Sequence, residues 1–260
     1  ISLGEMLHGE ATFIKENRGI KATRESVQKH LQTAYGMTVP LEEIFIASGT
    51  QQSLFLITQG LLKPGDAIGI EAPSYFYSLR LFQAAGLRII PIPMDDNGPD
   101  MDMVERLVSE DDSIKGIWCV PKYSNPAGTT YSDEVVKRFA ALKPAAKDFR
   151  IMWDNAYCIH EISDTPDVLL NIMDECKKTG NEDLPILFCS TSKITFPGAG
   201  VAAMAASENN LKVLREKYNY EIISYDKLNM LRHVRFFKDY DGVLKHMEKH
   251  KSVLKPKFEI

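Results

Sequence analysis

Short apolar runs punctuate the chain at Ile44–Ala47, Ala67–Ile70, Leu87–Ile92, Ile114–Val120, Arg150–Trp153 and Ile186–Cys189, and each ends abruptly in small or polar residues. Runs that are apolar at nearly every position suit strands covered on both faces, because a half-exposed strand would alternate. Between them the spacing predicts helices over Ser53–Leu62, Tyr77–Ala85, Met101–Ser109 and Ser132–Leu142. The last carries Asp133 and Glu134 in its first turn, where the helix dipole favours acids. Strand and helix alternating at this interval predict an α/β domain with a mostly parallel sheet and helices on both faces. Beyond residue 206 the pattern turns charged and helical, over Leu211–Lys217 and Gly242–Leu254, with no further strand signal. The expected division is an N-terminal segment over 1–40, a large domain over 41–206 and a helical remainder over 207–260.

Composition narrows the classes of function. With 44% hydrophobic and 25% charged residues in 260, the chain can bury a large core. A net charge of -4, with both signs interspersed, provides no basic stripe for a nucleic-acid backbone. No apolar run approaches the roughly 20 residues of a membrane span, and the first residues show no basic start followed by an apolar stretch. A cytoplasmic protein with no membrane or nucleic-acid partner is the expectation. Cys119, Cys158, Cys176 and Cys189 show no close spacing, which suits reduced, packed thiols.

In a parallel α/β sheet, ligands bind beyond the carboxyl ends of the strands. The residues there form a coherent set. Ser48-Gly49-Thr50 follows the first run and Pro73-Ser74-Tyr75 the second. Ser124-Asn125-Pro126 follows Ile114–Val120, Asp154-Asn155-Ala156-Tyr157 follows Arg150–Trp153, and Ser190-Thr191-Ser192-Lys193 follows Ile186–Cys189. Taken singly, each has an ordinary explanation: Lys193 as a surface lysine, Asp154 or Ser48-Gly49-Thr50 as helix caps, Tyr75 and Tyr157 as core aromatics. Their joint placement at successive strand ends is what points to a site. His160 and the Arg232-His233-Arg235 cluster fit packing or a charged helix face, as do His246 and His250, which a metal could otherwise use at their i, i+4 spacing.

In order and spacing these segments resemble the fold type I pyridoxal-phosphate enzymes, the aminotransferase superfamily. From Asp96 to about Lys257 the chain is similar to the Ic-type bacterial aspartate aminotransferases, in Tyr123-Ser124-Asn125-Pro126, Trp153-Asp154-Asn155-Ala156-Tyr157 and Ser190-Thr191-Ser192-Lys193-Ile194-Thr195. The part from Ile44 to Ala85 is more similar to the aminotransferase-like domain of MocR regulators. The resemblance implies pyridoxal 5'-phosphate held by Lys193 as a Schiff base, with Lys193 also moving the substrate's proton. It implies Asp154 at the pyridine nitrogen, Tyr157 and Asn125 at the phenolic oxygen, and Tyr75 on the ring. The phosphate would then fall to Ser48, Gly49 and Thr50, with Ser190 and Ser192.

The implied reaction is transamination of aspartate or a similar amino acid with 2-oxoglutarate, in a homodimer. A MocR-like effector domain and a lyase or racemase on the same scaffold are the alternatives. Most of the superfamily carries a phosphate-binding arginine about eight residues after the lysine, and Phe196–Val201 offers none. The family also continues into a small C-terminal domain bearing the substrate-carboxylate arginine. That domain is expected to be missing from a sequence ending at Ile260, leaving a chain that binds the cofactor and transaminates poorly.

Overall fold

The computed structural model describes residues 21–35, 40–41, 44–47, 49–195, 198–221 and 226–259. In chain order these form α1 (Lys21–Tyr35), β1 (Phe45–Ala47), α2 (Thr50–Leu61), β2 (Ala67–Ala72), α3 (Phe76–Ala84), β3 (Arg88–Asp95), β4 (Gly98–Pro99), α4 (Met101–Glu110) and β5 (Ile114–Cys119). There follow α5 (Asp133–Ala140), β6 (Arg150–Asp154), α6 (Ile172–Thr179), β7 (Pro185–Ser190), β8 (Ala202–Ala206), α7 (Glu208–Glu221), α8 (Lys227–Phe237) and α9 (Tyr240–Phe258). The sheet runs β1-β8-β7-β6-β5-β2-β3-β4. β3, β2, β5, β6 and β7 are parallel neighbours, while β8 lies antiparallel between β7 and β1, and β4 is a two-residue antiparallel edge on β3.

The runs that become β2, β5, β6 and β7 are strands because they are buried twice, whereas the run at Leu87–Ile92 becomes β3, most of whose positions are half-buried or exposed. Trp153 packs on one face, with Tyr131, Phe139 and Val136. Its neighbour Met152 packs on the other, with Trp118, Phe82 and Leu54. Alternate residues thus feed opposite cores, and every position must be apolar. Fully burying each such side chain contributes about 1.5–3 kcal/mol. The predicted α/β architecture with a mostly parallel sheet is the one observed.

The pattern passed over several elements. β8 has the sequence Ala-Ala-Met-Ala-Ala, with little intrinsic strand preference, and exists because it fills the gap between β1 and β7 with all five residues buried. α1, α6 and α8 also lie outside the predicted helices. α6 is capped by Asn171, whose side chain accepts from Met173 N, and ends at Gly180 in the left-handed conformation. The four cysteines are free, with Cys119 and Cys176 buried. Among the described residues no helix is long and apolar enough to cross a membrane.

Candidate active site

Beyond the carboxyl ends of β5, β6 and β7 lies a cavity of about 260 Å³. Its wall includes Gly49, Thr50, Tyr75, Asn125, Asp154, Tyr157, Ser192 and Lys193, together with Trp118 and Gly200. Nearly every sequence-predicted site residue is therefore brought to one place. Ser190 is one step removed: its hydroxyl is 2.7 Å from Ser192 Oγ and accepts from Ser192 N at 3.0 Å, so it supports the wall from behind. Ser48 lies outside the described residues. Among the described residues no arginine lines the cavity.

Asp154, the last residue of β6, forms the closed end. It is 7% exposed, and its Oδ1 has no hydrogen-bond partner. The Trp118 indole N–H faces the same carboxyl and favours its ionised form, without closing a hydrogen bond on Oδ1. Burial pushes the Asp154 carboxyl up to about 7, opposed by the Ala156 N–H and the charge of Lys193 and assisted by Glu71. Lys193 marks the open end, its Nζ 6.0 Å from the ring centroids of both Tyr75 and Tyr157. Burial raises the Tyr157 hydroxyl, and a hydrogen bond from Asn125 pulls it back. His160 packs edge-on against Tyr157 with centroids 5.3 Å apart, and burial lowers its pKa, so it sits as a neutral packing ring.

The floor under the lysine turn is built on glycine. Gly49, the N-cap residue of α2, has φ +91, a conformation that L side chains rarely adopt. A Cβ on Gly200 would stand 2.8 Å from Ser192 Cβ and 2.9 Å from its Cα, so only glycine lets the strand entering β8 pass this turn. No side chain caps α2, so its first N–H groups open on the cavity wall at Thr50 and Gln51, where the helix dipole favours an anion.

Two helices brace the turn from outside. His233 of α8 donates from Nδ1 to Asn229 O at 2.9 Å, which leaves Nε2 to accept from Thr191 Oγ1 at 2.8 Å. His246 of α9 donates from Nε2 to Ile194 O at 2.7 Å. These two histidines, read from sequence as solvated or packing groups, therefore hold the residues on either side of Ser192-Lys193.

Trp118 and Gly200 were not singled out in the sequence. Trp118 sits inside a strand run where any large apolar residue reads as core. Gly200 falls in a segment whose only apparent message was a missing arginine.

Comparisons with known proteins bear on the family and the fold. A family model described as aspartate amino-transferase matches residues 64–260. The aspartate aminotransferase of Corynebacterium glutamicum is 40% identical over 186 residues, 72% of this chain and 43% of that protein. The HTH-type transcriptional regulator YisV of Bacillus subtilis is 33% identical over 198 residues, 75% of this chain and 38% of that protein. The chain thus spans less than half the length of these curated relatives. Among solved structures, an aspartate transaminase from C. glutamicum superposes with a TM-score of 0.85 at 32% identity, covering 98% of this chain and 65% of that one. With the family model spanning most of its length and its fold shared by a solved transaminase, this chain belongs to the aspartate aminotransferase family.

Proposed function

We propose that this chain is the cofactor-binding part of a pyridoxal-phosphate-dependent aminotransferase, acting on aspartate or a similar amino acid with 2-oxoglutarate. The observation that carries the reading is the partnerless Asp154 Oδ1 at the buried end of a cavity whose mouth holds Lys193. An orphaned buried carboxylate oxygen costs about 1–3 kcal/mol unless something donates to it. A protonated pyridine ring is such a donor, and its positive charge would hold Asp154 ionised. When bound, pyridoxal phosphate supplies an electron sink for the carbanion formed at the amino acid's α-carbon.

The residues present fit that group. Lys193 would provide the amine that holds it and the base for the substrate's α-proton. Tyr157, whose hydroxyl is hydrogen-bonded by Asn125, would with Asn125 serve the phenolic oxygen, and Tyr75 provides a flat face near Lys193 Nζ. Thr50, Ser192 and the open N-terminus of α2 take the phosphate, with Ser190 steadying Ser192 and Ser48 preceding them in the chain. Thr50 and Ser192 hydroxyls and backbone N–H groups thereby stand in for the phosphate arginine that the lining lacks. A homodimer working in the cytoplasm completes the reading, after the family resemblance.

The similarity to YisV favours a second reading, an effector-binding domain that holds the cofactor without turnover. Mixing the purified chain with pyridoxal phosphate, reducing with borohydride and mapping the modified peptide tests the first claim common to both. The expected result is a stable adduct on Lys193 and its loss in Lys193→Ala; an adduct at another lysine, or none, overturns it. Release of oxaloacetate from aspartate then distinguishes the enzyme from the effector domain.

A further inference from the structure

Glu71, near the carboxyl end of β2, is 2% exposed, and the chemistry above makes no use of it. Its side-chain hydrogen bonds all go to one segment. Oε1 accepts from Val120 N at 2.8 Å and from the Tyr131 hydroxyl, and Oε2 accepts from Ser124 Oγ at 3.0 Å. Those donors sit at the start, middle and end of the loop that leaves β5 and enters α5. Backbone bonds close the same loop on itself, from Ser124 N to Thr129 O at 2.8 Å and from Tyr131 N to Pro121 O at 2.9 Å. Asn125, the residue after Ser124, is the group this loop delivers to the Tyr157 hydroxyl.

We propose that Glu71 is a positioning residue of the site: by gripping Val120, Ser124 and Tyr131 together it fixes the loop that presents Asn125 to Tyr157 and to the cofactor's phenolic oxygen. The cofactor half of this statement rests on the function proposed above; the grip on the loop does not.

A carboxyl group suits the task because it can accept from all three donors at once, with two oxygens and about four lone-pair sites. Glutamine can keep most of the arrangement. Its carbonyl accepts from Val120 N and the Tyr131 hydroxyl, and its amide donates to Ser124 Oγ. Alanine keeps none. The titratable groups around Glu71 are Tyr131 at the end of the loop, Cys119 of β5 and Asp154 of β6. Burial pushes Glu71 itself up to about 7, against the pull of its three donors. Charge and position are therefore separable: glutamine removes the charge and keeps the grip, whereas alanine removes both.

Two measurements test the proposal. In the cofactor-free chain, amide hydrogen exchange over residues 120–131 should quicken by about tenfold or more in Glu71→Ala, stay near wild type in Glu71→Gln, and leave α7 unchanged. In the chain loaded with pyridoxal phosphate, the pH midpoint of the bound cofactor's visible absorbance should move in the same direction in Glu71→Ala as in Asn125→Ala, by on the order of one unit. It should move little in Glu71→Gln, and no further in the double variant Glu71→Ala/Asn125→Ala than in Asn125→Ala alone.

Should Glu71→Ala fail to fold, Ser124→Ala removes one of the three bonds, and exchange should then quicken around residue 124 alone. Unchanged exchange overturns the proposal. So does a midpoint that shifts equally with glutamine and alanine, or shifts that add in the double variant. A wild-type chain that takes up no cofactor would defeat the proposed function instead, and the exchange measurement would still decide whether Glu71 holds the loop.

Discussion

At the scale of single residues, Asp154 sets a pH dependence whose sign can be worked out. Its pKa is raised from 3.8 to about 7 by burial, so the folded chain binds a proton over that range that the unfolded chain has released. The stability this contributes is complete below the unfolded value and is lost as pH rises through the folded one. Glu71, raised from 4.5 to about 7, acts in the same sense. His160 and His233, lowered by burial, act in the opposite sense below 6.5, so the difference between variant and wild type is the informative quantity. In the cofactor-free chain, Asp154→Asn should raise the melting temperature at about pH 8 by a few degrees, relieving on the order of 1–3 kcal/mol of unpaired buried charge, and should have little effect at about pH 4.5. Thermal melts followed by circular dichroism across that range check it. An equal effect at both ends would mean that Asp154 is not the titrating group.

At the scale of elements, the turn between β7 and β8 is where sequence and structure are most tightly bound. Gly200→Ala would place a methyl group against the backbone of Ser192, so either the strand entry or the lysine turn must move. The expected cost is about 1–3 kcal/mol in stability, with at least about tenfold weaker uptake of pyridoxal phosphate, read by absorbance titration. An alanine variant that binds the cofactor like wild type would show that Ser192 does not contribute to the phosphate end.

The strands that carry this site were legible because each is buried on both faces, which forces a continuous apolar run and marks its end by the first polar residue. Reading those ends picks out Asp154, Lys193 and Tyr157, which the fold brings to one cavity. Glu71 was not, since it lies one residue past a run that reads as finished at Ile70, and a lone acid there looks like the start of a turn. Its three donors are 49, 53 and 60 residues away, so no local pattern could announce the network. β8 was hidden for a different reason: an alanine-rich strand is dictated by its neighbours, not by its own composition. The bracing histidines of α8 and α9 carry no signal at their own positions either, since each acquires its role from a carbonyl or hydroxyl 42 to 52 residues away.

At the scale of the whole molecule, the site joins elements that otherwise belong to separate layers. α2 and α3 lie over one face of the sheet with the Trp118 core, the Tyr131–Trp153–Phe139 aromatic cluster fills the other, and α8 and α9 press on the lysine turn. A ligand touching Thr50, Tyr75, Asp154 and Lys193 at once therefore ties together the ends of β1, β2, β6 and β7, and its binding energy must appear as stability of the entire fold. For one site that gain is RT ln(1 + [L]/Kd), about 2.7 kcal/mol at a hundredfold excess over Kd, with each further decade adding about 1.4 kcal/mol. At roughly 2–4 °C per kcal/mol for a domain of this size, pyridoxal phosphate should raise the melting temperature by several degrees and continue to raise it with the logarithm of concentration. On the function proposed above, Lys193→Ala should keep a smaller shift, because Asp154 and the α2 N-terminus would still hold the cofactor without the covalent anchor. Scanning fluorimetry over a concentration series reads both curves. If the two coincide, the lysine contributes nothing to holding the cofactor; if the variant shows no shift at any concentration, the buried carboxylate and the phosphate cradle do not bind on their own, and the amine is the sole point of capture.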